Sequence, residues 1–118
     1  MKLSGTITEQ AYRRELQASK IRLFNEISMR RFLDIIRDNF PAMKTAYILY
    51  WTPEQGEDII SFLVDTHSVI KIELDRYDDK IAPIVDVYPI ENLIKGRSKT
   101  NQIKIAVALE LAKNDLNH

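Results

Sequence analysis

Two apolar stripes in the first forty residues cannot belong to one straight helix. Tyr12, Leu16, Leu23 and Ile27 fall on one line at about 100° per residue, whereas Phe32, Ile35 and Ile36 fall on a line turned by roughly 150° from it. A continuous helix over residues 7–39 would also reach about 50 Å at about 1.5 Å per residue, against a radius of gyration of about 13 Å expected for a globule of this length. The chain must break, and residues 25–30 are the expected place. Thr6-Ile7-Thr8-Glu9 is a capping-box pattern that sets the start of the first helix. Phe40-Pro41 ends the second, because proline excludes helical geometry from the residue before it.

Beyond Pro41 the pattern becomes strand-like. Residues 45–51 (Thr-Ala-Tyr-Ile-Leu-Tyr-Trp) are rich in aromatic and branched side chains. Strict alternation there places Tyr47, Leu49 and Trp51 on one face and Ala46, Ile48 and Tyr50 on the other. Residues 52–56 (Thr-Pro-Glu-Gln-Gly) read as a loop and residues 59–64 as a second strand. The third strand, 69–75, alternates Ile70, Ile72 and Leu74 with Lys71, Glu73 and Asp75, as expected where one sheet face packs and the other meets water. Residues 65–68 form the turn between them. A fourth strand, 84–88, follows Pro83 and is expected at an edge. Residues 103–112 support two readings: Ile103, Ile105, Val107, Leu109 and Leu111 alternate as in a strand, while Ala-Leu-Glu-Leu-Ala-Lys is helix-forming composition. The expected fold is α+β within a single domain over residues 1–118, with N-terminal helices packed on an antiparallel four- or five-stranded meander. Residues 96–101 are the linker-like stretch.

Charge is sorted along the chain. Residues 1–40 carry 8 Lys/Arg against 5 Asp/Glu, residues 41–94 carry 4 against 10, and residues 95–118 carry 5 against 2, so a net charge of zero hides an acidic middle between basic ends. With no cysteine, thiol catalysis, disulfides and thiolate metal sites are excluded. No apolar run approaches the roughly 18 residues of a membrane span, and the N-terminus shows no signal-peptide hydrophobic stretch. The expected location is the cytoplasm.

Candidate sites divide by chemistry. Asp65, His67, Thr66 and Ser68 include the residue types of an acid–histidine–hydroxyl arrangement, but in one turn they are expected to bond local backbone instead. Asp75, Asp78, Asp79 and Asp86 invite a calcium reading. A twelve-residue calcium loop begun at Asp75 would put Lys80 where glycine is required, and the motif fails. Asp65, Glu73 and Lys71 are the residue types of a metal-dependent hydrolase, also found on any half-polar strand pair. Neither a catalytic nor a metal site is therefore assigned, and no cofactor is expected. Lys95, Arg97, Lys99 and Lys104 are the best candidates for phosphate contacts, on a stretch lacking both the glycine spacing of a phosphate loop and interleaved aromatics.

The expectation for function is a small non-enzymatic protein-binding domain of inhibitor, immunity or adaptor type. Its expected interface is the acidic middle, Asp75, Tyr77, Asp78 and Asp79, with Trp51 as an aromatic anchor. The alternatives are a nucleic-acid binder using the basic ends and, third, the small hydrolase. A zero net charge favours a protein partner over nucleic acid. A homodimer through the N-terminal helix stripe is a further expectation, with Ser19 and Glu26 interrupting its seam.

Overall fold

The computed structural model describes residues 5–117. Helix α1 (Ile7–Asn25) begins at the anticipated cap: Thr6 Oγ1 accepts from the Glu9 N–H at 3.2 Å, and the Glu9 carboxylate reaches back to the Gly5 N–H. The break falls at Glu26, whose backbone is extended. A single 3-10 turn, Ile27–Met29, then leads into α2 (Arg30–Asn39), which stops at Phe40 before Pro41. This break lets both stripes be buried. Leu16 and Leu23 of the first and Phe32 and Ile36 of the second are all covered, whereas Ile27 is swung outward and 89% exposed.

Strands β1 (Ala46–Glu54), β2 (Glu57–Val64), β3 (Ser68–Asp75) and β4 (Ile84–Pro89) form one antiparallel meander in the order β1-β2-β3-β4. Thr52, Pro53 and Glu54, read from sequence as loop, extend β1. An edge strand tolerates Pro53 because a missing N–H on its outer side breaks no ladder bond. The remaining turn is Gln55-Gly56, with Gly56, its second residue, at φ +78°, a left-handed conformation that glycine adopts without strain. Two helices follow, α3 (Ile90–Ile94) and α4 (Lys99–Leu116). Residues 103–112 are thus helical and the sheet has four strands. Ser98 caps α4, its hydroxyl accepting from the Asn101 N–H at 3.3 Å, so the linker-like stretch is helical from Lys99 onward. The period-two appearance of this helix has a physical cause. Ile105, Ala108 and Ala112 are buried on one line and Val107 and Leu111 on the next, because α4 packs against both β1 and α1.

The sheet is sandwiched. One face, with Ile48, Ile60, Phe62, Ile70 and Ile72, is covered by α2 and the end of α1. The other, with Tyr47, Leu49, Leu63 and Val69, is covered by α3, α4 and Leu16 of α1. Since Leu16 packs on one face and Leu23 on the other, α1 crosses the outer edge of β1. Ser19 lies midway: its Oγ accepts from the Ile48 N–H at 3.1 Å and donates to the Leu16 carbonyl at 2.7 Å. The serine that interrupts the apolar seam therefore satisfies an edge-strand amide.

A bulge corrects the expected parity of β1. Ile48 pairs with Phe62 and Tyr50 with Ser61, so Leu49 has no partner in β2. Leu49 and Tyr50 both join the α4 side, and Trp51, opposite Ile60, turns to the α2 side. At the far end of the molecule Asp115 ties three elements together. Its carboxylate accepts from Lys20 Nζ at 3.0 Å, from Thr45 Oγ1 at 2.6 Å and from the Tyr47 hydroxyl. Burial pushes the Asp115 carboxyl up, but these three donors outweigh it and hold the group below its ordinary value. Burial and the Asp115 partnership push the Tyr47 phenol well up.

Candidate binding surfaces

The acidic turn after β3 is built by its own carboxylates. Asp75 Oδ1 accepts from the Tyr77 and Asp78 N–H groups at 2.9 and 2.8 Å, which lowers its pKa, and Asp78 Oδ1 accepts from the Lys80 N–H at 3.0 Å. Arg31 of α2 holds the turn from below, donating to the Asp79 and Ile81 carbonyls at 3.2 and 3.3 Å. Asp75 and Asp78 are thus committed to local backbone, while the side chains of Tyr77 and Asp79 stand outward. Tyr77 is 83% exposed.

The turn leads into β4, whose outer edge pairs with no strand among the described residues. The Ile90 N–H donates to the His67 carbonyl at 2.9 Å, which extends the β3–β4 register. By the two-residue alternation of an antiparallel ladder, Tyr88, Asp86 and Ile84 direct their main-chain groups toward β3, while Val85, Val87 and Pro89 direct theirs away. Pro89 lies on the side where its missing N–H breaks nothing. Of the eight large apolar side chains that are exposed among the described residues, four (Tyr77, Ile81, Ile84 and Val87) fall within 77–87, at this edge and in the turn before it, with Ile84 and Val87 on opposite faces of the strand.

Trp51 does not join these four. The register row Trp51–Ile60–Ile72–Val85 puts it three strands from β4, about 14 Å at about 4.8 Å per strand. Its indole N–H donates to Asp58 Oδ1 at 3.3 Å and the Arg22 guanidinium stacks 4.7 Å from its ring centre. Asp58 in turn pairs with Arg76 at 3.2 Å.

Of the four basic candidates, the structure gathers two. Arg97 lies 5.0 Å and Lys104 Nζ 5.3 Å from the Tyr50 ring centre. Lys104 also reaches the Tyr12 ring and pairs with Glu15 at 3.4 Å, so its charge is largely engaged within the fold. Lys95 and Lys99 are exposed, with no acidic partner among the described residues.

Beside Tyr50 the α4-side face of the sheet is only half covered. Beyond the contact with α3 and α4, a cleft of about 320 Å³ opens over Tyr50, Ser61 and Lys71, with Thr52, Ile59 and Glu54 toward the hairpin tip and Tyr88 and Arg97 at its sides. Tyr50, Ser61, Lys71 and Asp86 form one register row across all four strands. The Tyr50 hydroxyl is buried and makes no hydrogen bond among the described residues. Burial raises its pKa despite the opposing charge of Arg97. Alternation marked Lys71 as facing away from the α2-side core, but nothing local signalled the bulge that brings Tyr50 to the same side.

The Asp65 arrangement dissolves. Asp65, at φ 51°, accepts from the Lys44 and Thr45 N–H groups at 3.0 and 3.1 Å and so caps the entry to β1. Glu73 lies opposite Ile59, six residues back along β2, about 20 Å from Asp65 at about 3.3 Å per residue. Among the described residues no group of three or more His, Asp or Glu side chains is placed to hold a metal ion, the four aspartates of 75–86 included. No helix among them is long and apolar enough to cross a membrane. No protein-family model, no curated protein and no solved structure matches this chain.

Proposed function

We propose that the protein acts by binding another protein, which adds an extended segment to the outer edge of β4 and covers the adjoining turn. The observation that supports this is the concentration of exposed apolar side chains, Tyr77, Ile81, Ile84 and Val87, around a strand edge whose Val85 and Val87 main-chain groups have no partner in the sheet. Strand addition takes its affinity from such groups and its specificity from alternate side chains. Asp79 and Asp86 give this edge a negative rim, which suits a partner segment with basic residues. An adaptor or inhibitor role in the cytoplasm fits this size and a chain without cysteine.

The test uses Val87→Pro. The Val87 N–H points away from β3, so proline there removes a donor from the outer edge while leaving the β3–β4 ladder whole. Affinity capture from host lysate, treated with nuclease and washed at about 0.5 M salt where exposed charges are screened within a few ångströms, should retain a stoichiometric protein on the wild-type chain and lose it on Val87→Pro. Reversing charge at Asp79, whose side chain stands outward from the turn, should weaken capture without unfolding. Equal capture by Val87→Pro, or recovery of nucleic acid alone, overturns the reading. A concentration-dependent dimer in light scattering that Val87→Pro abolishes would make the edge's occupant a second copy of this chain and overturn a different partner.

A further inference from the structure

We propose that the half-open cleft over Tyr50, Ser61 and Lys71 binds a small polar molecule through an oxyanion, a phosphate or carboxylate group held between Lys71 and Arg97. This site is separate from the β4 edge and stands or falls independently of it.

Three observations converge. The first is uncompensated positive charge. Lys71 is half-buried on the strand face and makes no ion pair or hydrogen bond among the described residues, although Asp86 is its neighbour in register. A lysine whose stem packs on a sheet face and whose charge has no protein partner leaves that charge available to an anion. Three other half-buried cations have acidic partners, Arg13 in Glu110, Lys20 in Asp115 and Lys104 in Glu15, and Arg31 donates to two backbone carbonyls.

The second is the preparation of Arg97. Its Nε donates to the Leu93 carbonyl at 3.2 Å and its guanidinium lies over the Tyr50 ring, so the group is fixed from two sides. Neither terminal nitrogen has a partner among the described residues. A guanidinium anchored through Nε and a ring face still presents a planar pair of donors, the geometry that binds carboxylate and phosphate.

The third is the set of hydroxyls on the floor and walls. The Tyr50 hydroxyl is buried and unpartnered, an arrangement that costs about 1–3 kcal/mol if left so. Ser61, Thr52 and Tyr88 add further hydroxyls to the same cleft. Its volume of about 320 Å³ lies at the lower end of small-molecule sites. Glu54 lines the opposite end, four residues along β1 from Tyr50, about 13 Å away at about 3.3 Å per residue. The cleft is therefore cationic at its inner end and acidic at its mouth. A molecule with an oxyanion at one end and hydrogen-bond donors at the other matches that polarity.

The test is an amide-resolved NMR titration of the full chain with inorganic phosphate and, separately, acetate, each against sodium chloride at equal ionic strength. Saturable shifts at the amides of Tyr50, Ser61, Lys71, Tyr88 and Arg97 are expected. Affinity should fall about tenfold or more in Lys71→Gln and in Arg97→Gln, and a few-fold in Tyr50→Phe, with an unchanged wild-type spectrum elsewhere. Lys95→Gln, outside the cleft, should titrate as wild type. Response to phosphate alone assigns a phosphate-bearing ligand and response to acetate alone a carboxylate. Shifts no larger than those of chloride for both anions, or equal affinity in wild type and Lys71→Gln, overturn the proposal.

Discussion

The two edges of the sheet are treated in opposite ways. β1 is roofed by α1, its Ile48 N–H is taken by Ser19, and its first residues are fastened through Thr45 and Tyr47 to Asp115 on α4. β4 is held by its ladder to β3 and by the packing of Val85 and Tyr88, with Pro83 before it, Pro89 as its last residue, and exposed apolar side chains. An uncovered edge strand invites pairing, and folds commonly blunt it with lysine, bulges or a covering element. Here the bulge and the covering helix are spent on β1, and β4 has neither. The contrast teaches that this fold closes one edge with a helix and a bulge and leaves the other unpaired among the described residues.

The comparison breaks most visibly at Asp115. Asp115→Ala leaves two buried hydroxyls without their acceptor and should cost about 3 kcal/mol in urea unfolding; a loss under about 1 kcal/mol would show that the β1 side is not fastened there. Because the folded pKa of Asp115 is lowered, its contribution is present above the unfolded carboxyl value of about 3.9 and fades as pH falls through the folded one. Stability of the wild type should therefore drop in acid more steeply than that of Asp115→Asn, a difference read from urea midpoints across that range.

Next is Tyr88→Pro, which deletes an inward N–H of the β3–β4 ladder and should cost about 2 kcal/mol. Ser19→Ala should cost about 1 kcal/mol, since it strips the covered edge of its acceptor for Ile48; an unchanged midpoint would mean that α1 only lies near β1. The smallest effect belongs to Val87→Pro, within about 0.5 kcal/mol of wild type. Were Val87→Pro as damaging as Tyr88→Pro, the outward assignment of Val87 would be wrong and the unpaired edge with it.

Local rules carried far in this chain where one chemical reason acted alone. Thr6 with Glu9, the proline at 41 and the alternation of 69–75 each specified an element that the structure contains. They failed where tertiary packing set the pattern. Residues 103–112 look like a strand because α4 is buried on two sides, and Pro53 looks like loop because only an edge strand forgives it. The acidic turn was visible as a cluster, but its carboxylates bond backbone two and three residues away, which cannot be told from charge count. The cleft was the least legible feature. Tyr50, Ser61, Lys71 and Arg97 come from three strands and a loop; Arg97 was marked for phosphate contacts and Lys71 for a hydrolase, but nothing in the sequence brings the four together.

The unpartnered Leu49 gives β1 one residue more than the stretch of β2 it pairs with. Were that residue paired with β2 instead of bulged, everything after it would slip by one position, so that Trp51 turned to the side of Lys71 and the Tyr50 phenol passed to the side of Arg22. Which aromatic ring faces the cleft is thus encoded in the bulge rather than in residue identity. Loss of the bulge, more than any single substitution, is the event by which this face of the molecule trades one chemistry for another.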